Sequence, residues 1–291
     1  MTTAKTRYGV AGWPVEHSRS PELHNFWLEE TGIAEHYGKF AVAPGTFAEF
    51  LRETASGALL GLNITVPHKE EAARLCASRS QTARRCGAVN TLVFGDDSWH
   101  GENTDAGGLL SVWRELAAEN GGVSPDTEAA DSLAVILGAG GMARATLAAL
   151  AESKTTRAAV VARTRARGET LARDFAGANL TISVHDWTER DTVFAMSPSL
   201  AVNATPLGLA GAPPMPSLPL ADVAARARDA GRPPPLFLDT VYGAAETELA
   251  RRARDAGWLA SDGRRLLVAQ ARLSFEIWFG VEPGDPPPSF R

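Results

Sequence analysis

The chain has 291 residues, room for one large domain or two ordinary ones, and 44% of them are apolar, enough for a packed core and too many for a disordered chain. A net charge of about −5 with no dominant basic face argues against a nucleic-acid partner. No stretch approaches the ~18 uninterrupted apolar residues of a membrane span, and residues 1–7 carry no apolar segment behind their charges, so neither a membrane anchor nor a secretory signal is expected. Cys76 and Cys86 show neither metal spacing nor a disulfide framework; they are expected to be packing residues in a reducing cytoplasm, with no metal bound.

Strands and helices alternate from the start. Residues 8–12 form a short apolar strand ending in glycine. A helix over 21–31 follows, with Ser20 placed to cap it and Pro21 at its first position. A strand at 38–42, a helix at 46–54, a strand at 59–66 closed by Pro67, a helix at 69–77 and a strand at 88–94 continue the series. The turn Gly95-Asp96-Asp97 ends that strand, and a helix spans 106–119. The stretch 120–132 is polar and reads as a surface loop. The alternation then restarts: strand 133–137, helix 142–153, strand 158–162, helix 167–175, and strands at 180–184, 200–203 and 236–239. Residues 208–219 and Pro233-Pro234-Pro235 are proline-rich connections, and a long helix over 266–279 closes the series. The restart predicts two α/β domains on mostly parallel sheets, with ligands in a cleft at the carboxyl ends of the strands.

Gly138-Ala139-Gly140-Gly141-Met142-Ala143 fits G-x-G-x-x-A between a strand and a helix. The first glycine permits the tight turn, the second lets backbone approach a pyrophosphate, and Ala143 lets the helix pack close. The helix N-terminus offers free amides to the phosphates. An NAD site wants an acid about 20 residues on, at the end of the second strand. Here that strand ends in Arg163-Thr164-Arg165-Ala166-Arg167, and no acid appears before Glu169. Two arginines would clamp a 2′-phosphate, which points to NADP.

In the first half, Ser18 and Ser20, separated by one residue, stand at a strand-to-helix connection, where both could donate to one small carboxylate; Ser20 also fits a simple helix cap. Thr65, Lys69, Asn90 and Asp105 each lie at or just past a strand end and suit several hydroxyls on a small ring. Taken singly, Lys69 also fits a solvated helix start, and Asp105 a turn or cap.

These segments resemble shikimate dehydrogenase over nearly the whole length. They are His17 to Pro21 with His24-Asn25, Asn63 to Lys69, Gly87 to Thr91, Asn103 to Gly107, the loop from Gly138, Asn203 to Gly208, Asp239 to Tyr242, and Gln270-Ala271. The resemblance implies a discontinuous substrate domain (1–105 with 264–291) and a Rossmann-like NADP domain (106–263), with the active site in the cleft between them. It implies Lys69 and Asp105 as the catalytic pair and Ser18 and Ser20 as carboxylate anchors, helped by Tyr242. Thr65, Asn90, Asp105 and Gln270 would bind ring hydroxyls. Arg163, Thr164 and Arg167 would hold the 2′-phosphate, and Thr205, Thr240 and Gly263 would line the cofactor. The implied reaction is reversible reduction of 3-dehydroshikimate to shikimate by NADPH in a cytoplasmic monomer or homodimer. Quinate or aminoshikimate is the alternative substrate, and a non-catalytic NADPH sensor the remote one. The chain departs from the family's usual residues at Gln81, Ala162, Ala244 and Leu266.

Overall fold

The computed structural model describes residues 6–55, 57–127, 132–177, 179–243 and 245–290. Part of the polar stretch 120–132, the first residues of the chain and Ala244 lie outside the described residues. Two compact units form: Met1–Gly108 with Leu267–Arg291, and Leu109–Leu266.

The first unit begins with β1 (Thr6–Gly12), α1 (Ser20–Glu30), β2 (His36–Ala41), α2 (Phe47–Thr54), β3 (Gly61–Ile64) and α3 (Lys69–Leu75). A two-residue strand β4 (Ser78–Arg79), α4 (Gln81–Cys86), β5 (Thr91–Gly95), β6 (Ser98–Glu102) and the start of α5 (Thr104–Asn120) follow. Its six-stranded sheet runs β2-β1-β3-β5-β6-β4. β1 pairs parallel with β2 and β3, whereas β5 runs antiparallel to both β3 and β6. The segment 88–94 is therefore one arm of a hairpin. Asp96 and Asp97, both at positive φ (51° and 56°), make the tight turn that closes it. The strand expected over 59–66 is shorter, because Val66 leaves the ladder and is 68% exposed. Ala11, Leu62, Ile64, Leu92 and Trp99 pack with Phe47 and Leu51 into one core. Each fully buried large side chain contributes roughly 1.5–3 kcal/mol.

The second unit contains β7 (Leu133–Leu137), α6 (Gly141–Glu152), β8 (Arg157–Ala162), α7 (Arg165–Asp174), β9 (Thr181–Asp186), α8 (Arg190–Ala195) and β10 (Leu200–Asn203). It continues through α9 (Leu220–Asp229), β11 (Leu236–Asp239), α10 (Glu248–Asp255), β12 (Leu259–Ser261) and the start of α11 (Gly263–Phe279). Its sheet, β12-β11-β10-β7-β8-β9, is parallel throughout. Every residue of β7, β10 and β11 is buried, as a central strand covered on both faces requires. Strand order reverses at the β7–β10 pair, the point at which doubly wound sheets place their ligands.

The last part of α11 belongs to the first unit. Trp278 donates its indole N–H to the Leu92 carbonyl (3.0 Å), and Phe275 packs edge-on against Trp27. A Cβ at Gly108 would meet the Gln270 backbone nitrogen at 3.0 Å, so only glycine lets α5 and α11 approach this closely. His24 is fully buried, stacked on Tyr37 at 4.3 Å, and burial holds its imidazole at about 3 against an ordinary 6.5. Both cysteines are buried free thiols, and burial pushes Cys76 up, which suits packing rather than reactivity. Among the described residues, no helix is long and apolar enough to cross a membrane, and no three His, Cys, Asp or Glu side chains cluster as a metal site.

Candidate functional site

Pro67 ends the extended run after β3, and the chain turns through His68 into α3. His68 is buried and stacked on Phe47, with its Nε2 2.7 Å from the Val42 carbonyl oxygen. That anchor fixes the turn from which Lys69, the first residue of α3, projects. Lys69 Nζ donates to Asp105 Oδ2 at 2.6 Å. The Lys69 side chain keeps 18% exposure and that of Asp105 only 6%, so the amine faces outward from a buried carboxylate. Asp105 sits in the first turn of α5, where a negative charge is favoured by the helix dipole. Asn90 Nδ2 donates to its other oxygen, Oδ1, at 2.9 Å. Asn90 also donates to Thr104 Oγ1 (2.9 Å), and its Oδ1 accepts from Thr104 N (2.7 Å). The carboxylate is thus held on one side by an amide that is itself held.

Gly12 at the end of β1 lies against Thr65, since a Cβ there would meet Thr65 Cγ2 at 2.2 Å. Trp13 N donates to the Val66 carbonyl at 3.0 Å, which ties the loop leading to Ser18 to the loop leading to Lys69. Ser20 is the first residue of α1, not its cap; the cap position is Arg19, and no side chain caps the helix. Ser18 Oγ donates to Ser20 Oγ (3.2 Å) and accepts from Ser20 N (3.3 Å). Among the described residues, neither the Ser20 hydroxyl nor the Thr65 hydroxyl donates to protein. Gln270 lies on α11 in the same unit and donates its amide to the Leu267 carbonyl at 2.8 Å.

In the second unit the glycine loop joins β7 to α6. Gly138 has φ +114°, and a Cβ on it would sit 2.9 Å from the Ala204 carbonyl oxygen, so no other residue fits. Gly140 and Gly141 border open space, and no side chain caps α6. Its first amides are therefore available to a phosphate, flanked by Ala139 and Met142. Ala143 is fully buried beneath them. Arg163, Thr164 and Arg167 are exposed at the start of α7, and Thr164 takes the cap position without using its side chain. Among the described residues neither Arg163 nor Arg167 has an ion-pair partner, whereas Arg165 contacts Glu169, Asp186 and Glu189. This loop and its two unpaired arginines fit a dinucleotide carrying an additional phosphate.

Thr205 lies against Gly138 of this loop and Thr240 follows β11, and both spend their hydroxyls locally. Thr205 Oγ1 donates to Asn203 Oδ1 (2.7 Å), and Thr240 Oγ1 to the Asn203 carbonyl (2.7 Å). Asn203 in turn donates to Asp239 Oδ1 at 2.8 Å. Burial pushes the Asp239 carboxyl above the ordinary carboxylate value, while hydrogen bonds from Thr247, Asn203 and the Val241 amide pull it back. Gly263 opens α11, and its Cβ would meet the Thr240 carbonyl oxygen at 2.5 Å. Tyr242 is half-buried on the loop after β11. A surface cavity of about 320 Å³ lined by Arg190, Asp191, Asp222 and Arg226 touches none of these residues.

Asn63, Thr91 and Thr104 join the site without having been singled out as site residues by the sequence. Asn63 Nδ2 donates to Thr91 Oγ1 (3.1 Å), and Tyr37 donates its hydroxyl to Asn63 Oδ1 (2.6 Å). The available signal was an asparagine between Leu62 and Ile64 in a strand buried along its whole length.

Comparison with known proteins gives a consistent assignment. A model described as "Shikimate dehydrogenase substrate binding domain" matches residues 10–92, and one described as "Shikimate / quinate 5-dehydrogenase" matches residues 120–195. The chain is 42% identical over 285 residues to a shikimate dehydrogenase (NADP(+)) of Methylocella silvestris, covering 97% of this chain and 94% of that protein. It is 41% identical over 286 residues to the protein of the same name from Rhodospirillum rubrum, covering 97% and 95%. A crystal structure of shikimate 5-dehydrogenase from Thermus thermophilus, in complex with NADP(H) and shikimate, superposes with a TM-score of 0.75 at 31% identity, covering 96% of this chain and 95% of that one.

Proposed function

The chain belongs to the shikimate dehydrogenase family, and from that premise we propose that it catalyses the reversible, NADP-dependent reduction of 3-dehydroshikimate to shikimate. The observation that carries this reading is the Lys69–Asp105 pair, a 2.6 Å contact between a partly exposed amine and a buried carboxylate. Bound NADPH supplies the hydride that the ring carbonyl carbon receives. Negative charge then grows on the carbonyl oxygen, and a donor must meet it. One proton of the Lys69 ammonium is engaged by Asp105 Oδ2, which leaves two for the substrate. Lys69 gives one of them to the oxygen in reduction; in oxidation the neutral amine takes it back. Asp105 aims the amine and, through its Oδ1 side, meets the neighbouring ring hydroxyl. Ser18 and Ser20 hold the substrate carboxylate, with the Ser20 proton available to it. Thr65 and Gln270 read the ring hydroxyls, whereas Asn90, expected to join them, has both amide protons committed to Thr104 and Asp105 and acts by holding Asp105.

On the cofactor side, the amides of Gly140, Gly141 and Met142 hold the pyrophosphate. Arg163, Thr164 and Arg167 hold the 2′-phosphate; a charge-assisted hydrogen bond contributes about 1.5–3 kcal/mol where water is excluded and less at an exposed site. Gly138, Thr205, Thr240 and Gly263 shape the floor of that site.

The test is a substrate panel. Purified protein is given shikimate, quinate and aminoshikimate, each with NADP and with NAD, and reduced cofactor is followed by absorbance. Shikimate with NADP is expected to give the highest kcat/KM. A higher value for quinate or for the amino analogue would overturn the substrate assignment, and no turnover of any would overturn the reaction.

A further inference from the structure

We propose that Ser274, on α11, is a positioning residue for the Lys69–Asp105 pair. This rests on the dehydrogenase reading above. Ser274 is fully buried. A serine in a helix ordinarily bonds back to the carbonyl four residues earlier, and Ser274 does so to Gln270 at 3.1 Å. Three further contacts are not explained by that habit. Asn63 Nδ2 donates to its hydroxyl at 2.9 Å, and the hydroxyls of Thr91 and Thr104 lie 2.9 and 3.3 Å away.

Counting protons gives these contacts a direction. Thr91 and Thr104 both direct their hydroxyl protons to Asn90 Oδ1, at 3.2 and 3.3 Å. A hydroxyl has one proton and two acceptor sites. With those two protons spent, the single Ser274 proton is shared between the Gln270 carbonyl at 3.1 Å and the nearer Thr91 Oγ1 at 2.9 Å, and the Ser274 oxygen accepts from Asn63. The threonines thus keep facing Asn90, Asn90 keeps its amide on Asp105 Oδ1, and Asp105 presents Oδ2 to Lys69. Without the Ser274 hydroxyl, Thr91 loses a donor and is free to turn its own proton away from Asn90. The carboxylate then loses the restraint that aims it.

The test compares Ser274→Ala and Ser274→Cys with the parent. Alanine removes the hydroxyl with almost no change in volume; cysteine keeps a weak donor of similar size. The readout independent of turnover is the side-chain NMR signal of Lys69 in ligand-free protein, tractable because the chain has only four lysines, Lys5, Lys39, Lys69 and Lys154. In Ser274→Ala this signal is expected to move toward the positions of freely solvated lysines. The kcat should fall about 5- to 20-fold, and a limb of the pH–rate profile should shift by ~0.5 unit or more, with KM for NADP within about twofold. Ser274→Cys should fall between alanine and parent on each measure. An unmoved Lys69 signal, or a loss of kcat that only follows the unfolded fraction in a urea titration, would overturn the proposal. A parent protein that fails to turn over shikimate would sink the dehydrogenase reading instead, and leaves the Lys69 signal as the arbiter of the positioning role.

Discussion

The two units use polar side chains in opposite ways. In the first, Asn90 is only 3% exposed, donates both amide protons to its neighbours and has its oxygen fully engaged. In the second, Arg163, Thr164 and Arg167 stand exposed with their side chains committed to no protein partner among the described residues. The contrast fits the two tasks proposed for these units. Proton transfer needs a donor aimed at one place before substrate arrives, and a closed network provides that. Recognition of a phosphate needs positive charge that nothing inside the protein has already neutralised. Arg165, tied to three acids two residues from Arg163, shows what the alternative looks like in the same helix start.

The largest effect expected from breaking this contrast is at Lys69. Lys69→Ala should lower kcat by roughly 10²- to 10⁴-fold, the usual range for a general acid–base group, with the Kd for NADP unchanged in a binding titration. Near-normal turnover would remove the amine from the mechanism. Next comes the open side: Arg163→Ala with Arg167→Ala should raise KM for NADP by about 10- to 100-fold and leave that for NAD within about threefold. Equal weakening of both cofactors would mean that the arginines do not read the 2′-phosphate.

His24 provides a stability test of the buried unit. Its imidazole is held at about 3 against 6.5, so below the ordinary value the unfolded chain binds a proton that the folded protein refuses. Stability conferred by the neutral ring is complete above 6.5 and is lost as pH falls toward 3. By pH 5 the loss should reach about 2 kcal/mol. Urea midpoints of the parent should therefore drop between pH 7 and 5 by more than those of His24→Phe; parallel curves would contradict it. The smallest effect is reserved for Arg165→Ala, whose side chain is already paired: KM for NADP should change by less than about threefold. A change as large as that of the arginine pair would erase the distinction drawn within α7.

Much of this was legible in the chain. β7, β10 and β11 are uninterrupted apolar runs or nearly so, and the structure places them at or near 133–137, 200–203 and 236–239 because central parallel strands bury both faces. α10 was not legible: Glu248–Asp255 turns only Leu249, Ala250 and Ala253 inward, a stripe too narrow to announce a helix among so many charges. β6 was hidden similarly, since Ser98, His100 and Glu102 alternate outward and only Trp99 and Gly101 are buried. The site divides along the same line. Lys69 and Asp105 stand in compact polar segments beside strand ends, where chemistry-bearing residues are conspicuous. Ser274 is one hydroxyl in an apolar helix, and nothing local sets it apart; only the fold brings it to Asn63 and Thr91, 211 and 183 positions away.

That separation has a consequence for how the protein is made. The second unit is one continuous stretch, Leu109–Leu266, whereas the first is split around it. On a ribosome, the first 108 residues emerge early but lack Gln270, Ser274, Phe275 and Trp278 until α11 has been translated. Domains generally fold as units during synthesis. Here the order of completion is reversed relative to the order of translation: the unit that starts first closes last. Until then its Asn63 side chain and the Leu92 carbonyl stand without their partners from α11. The site proposed for proton transfer is therefore completed only once α11 has been translated, after the nucleotide loop already has all the sequence it needs.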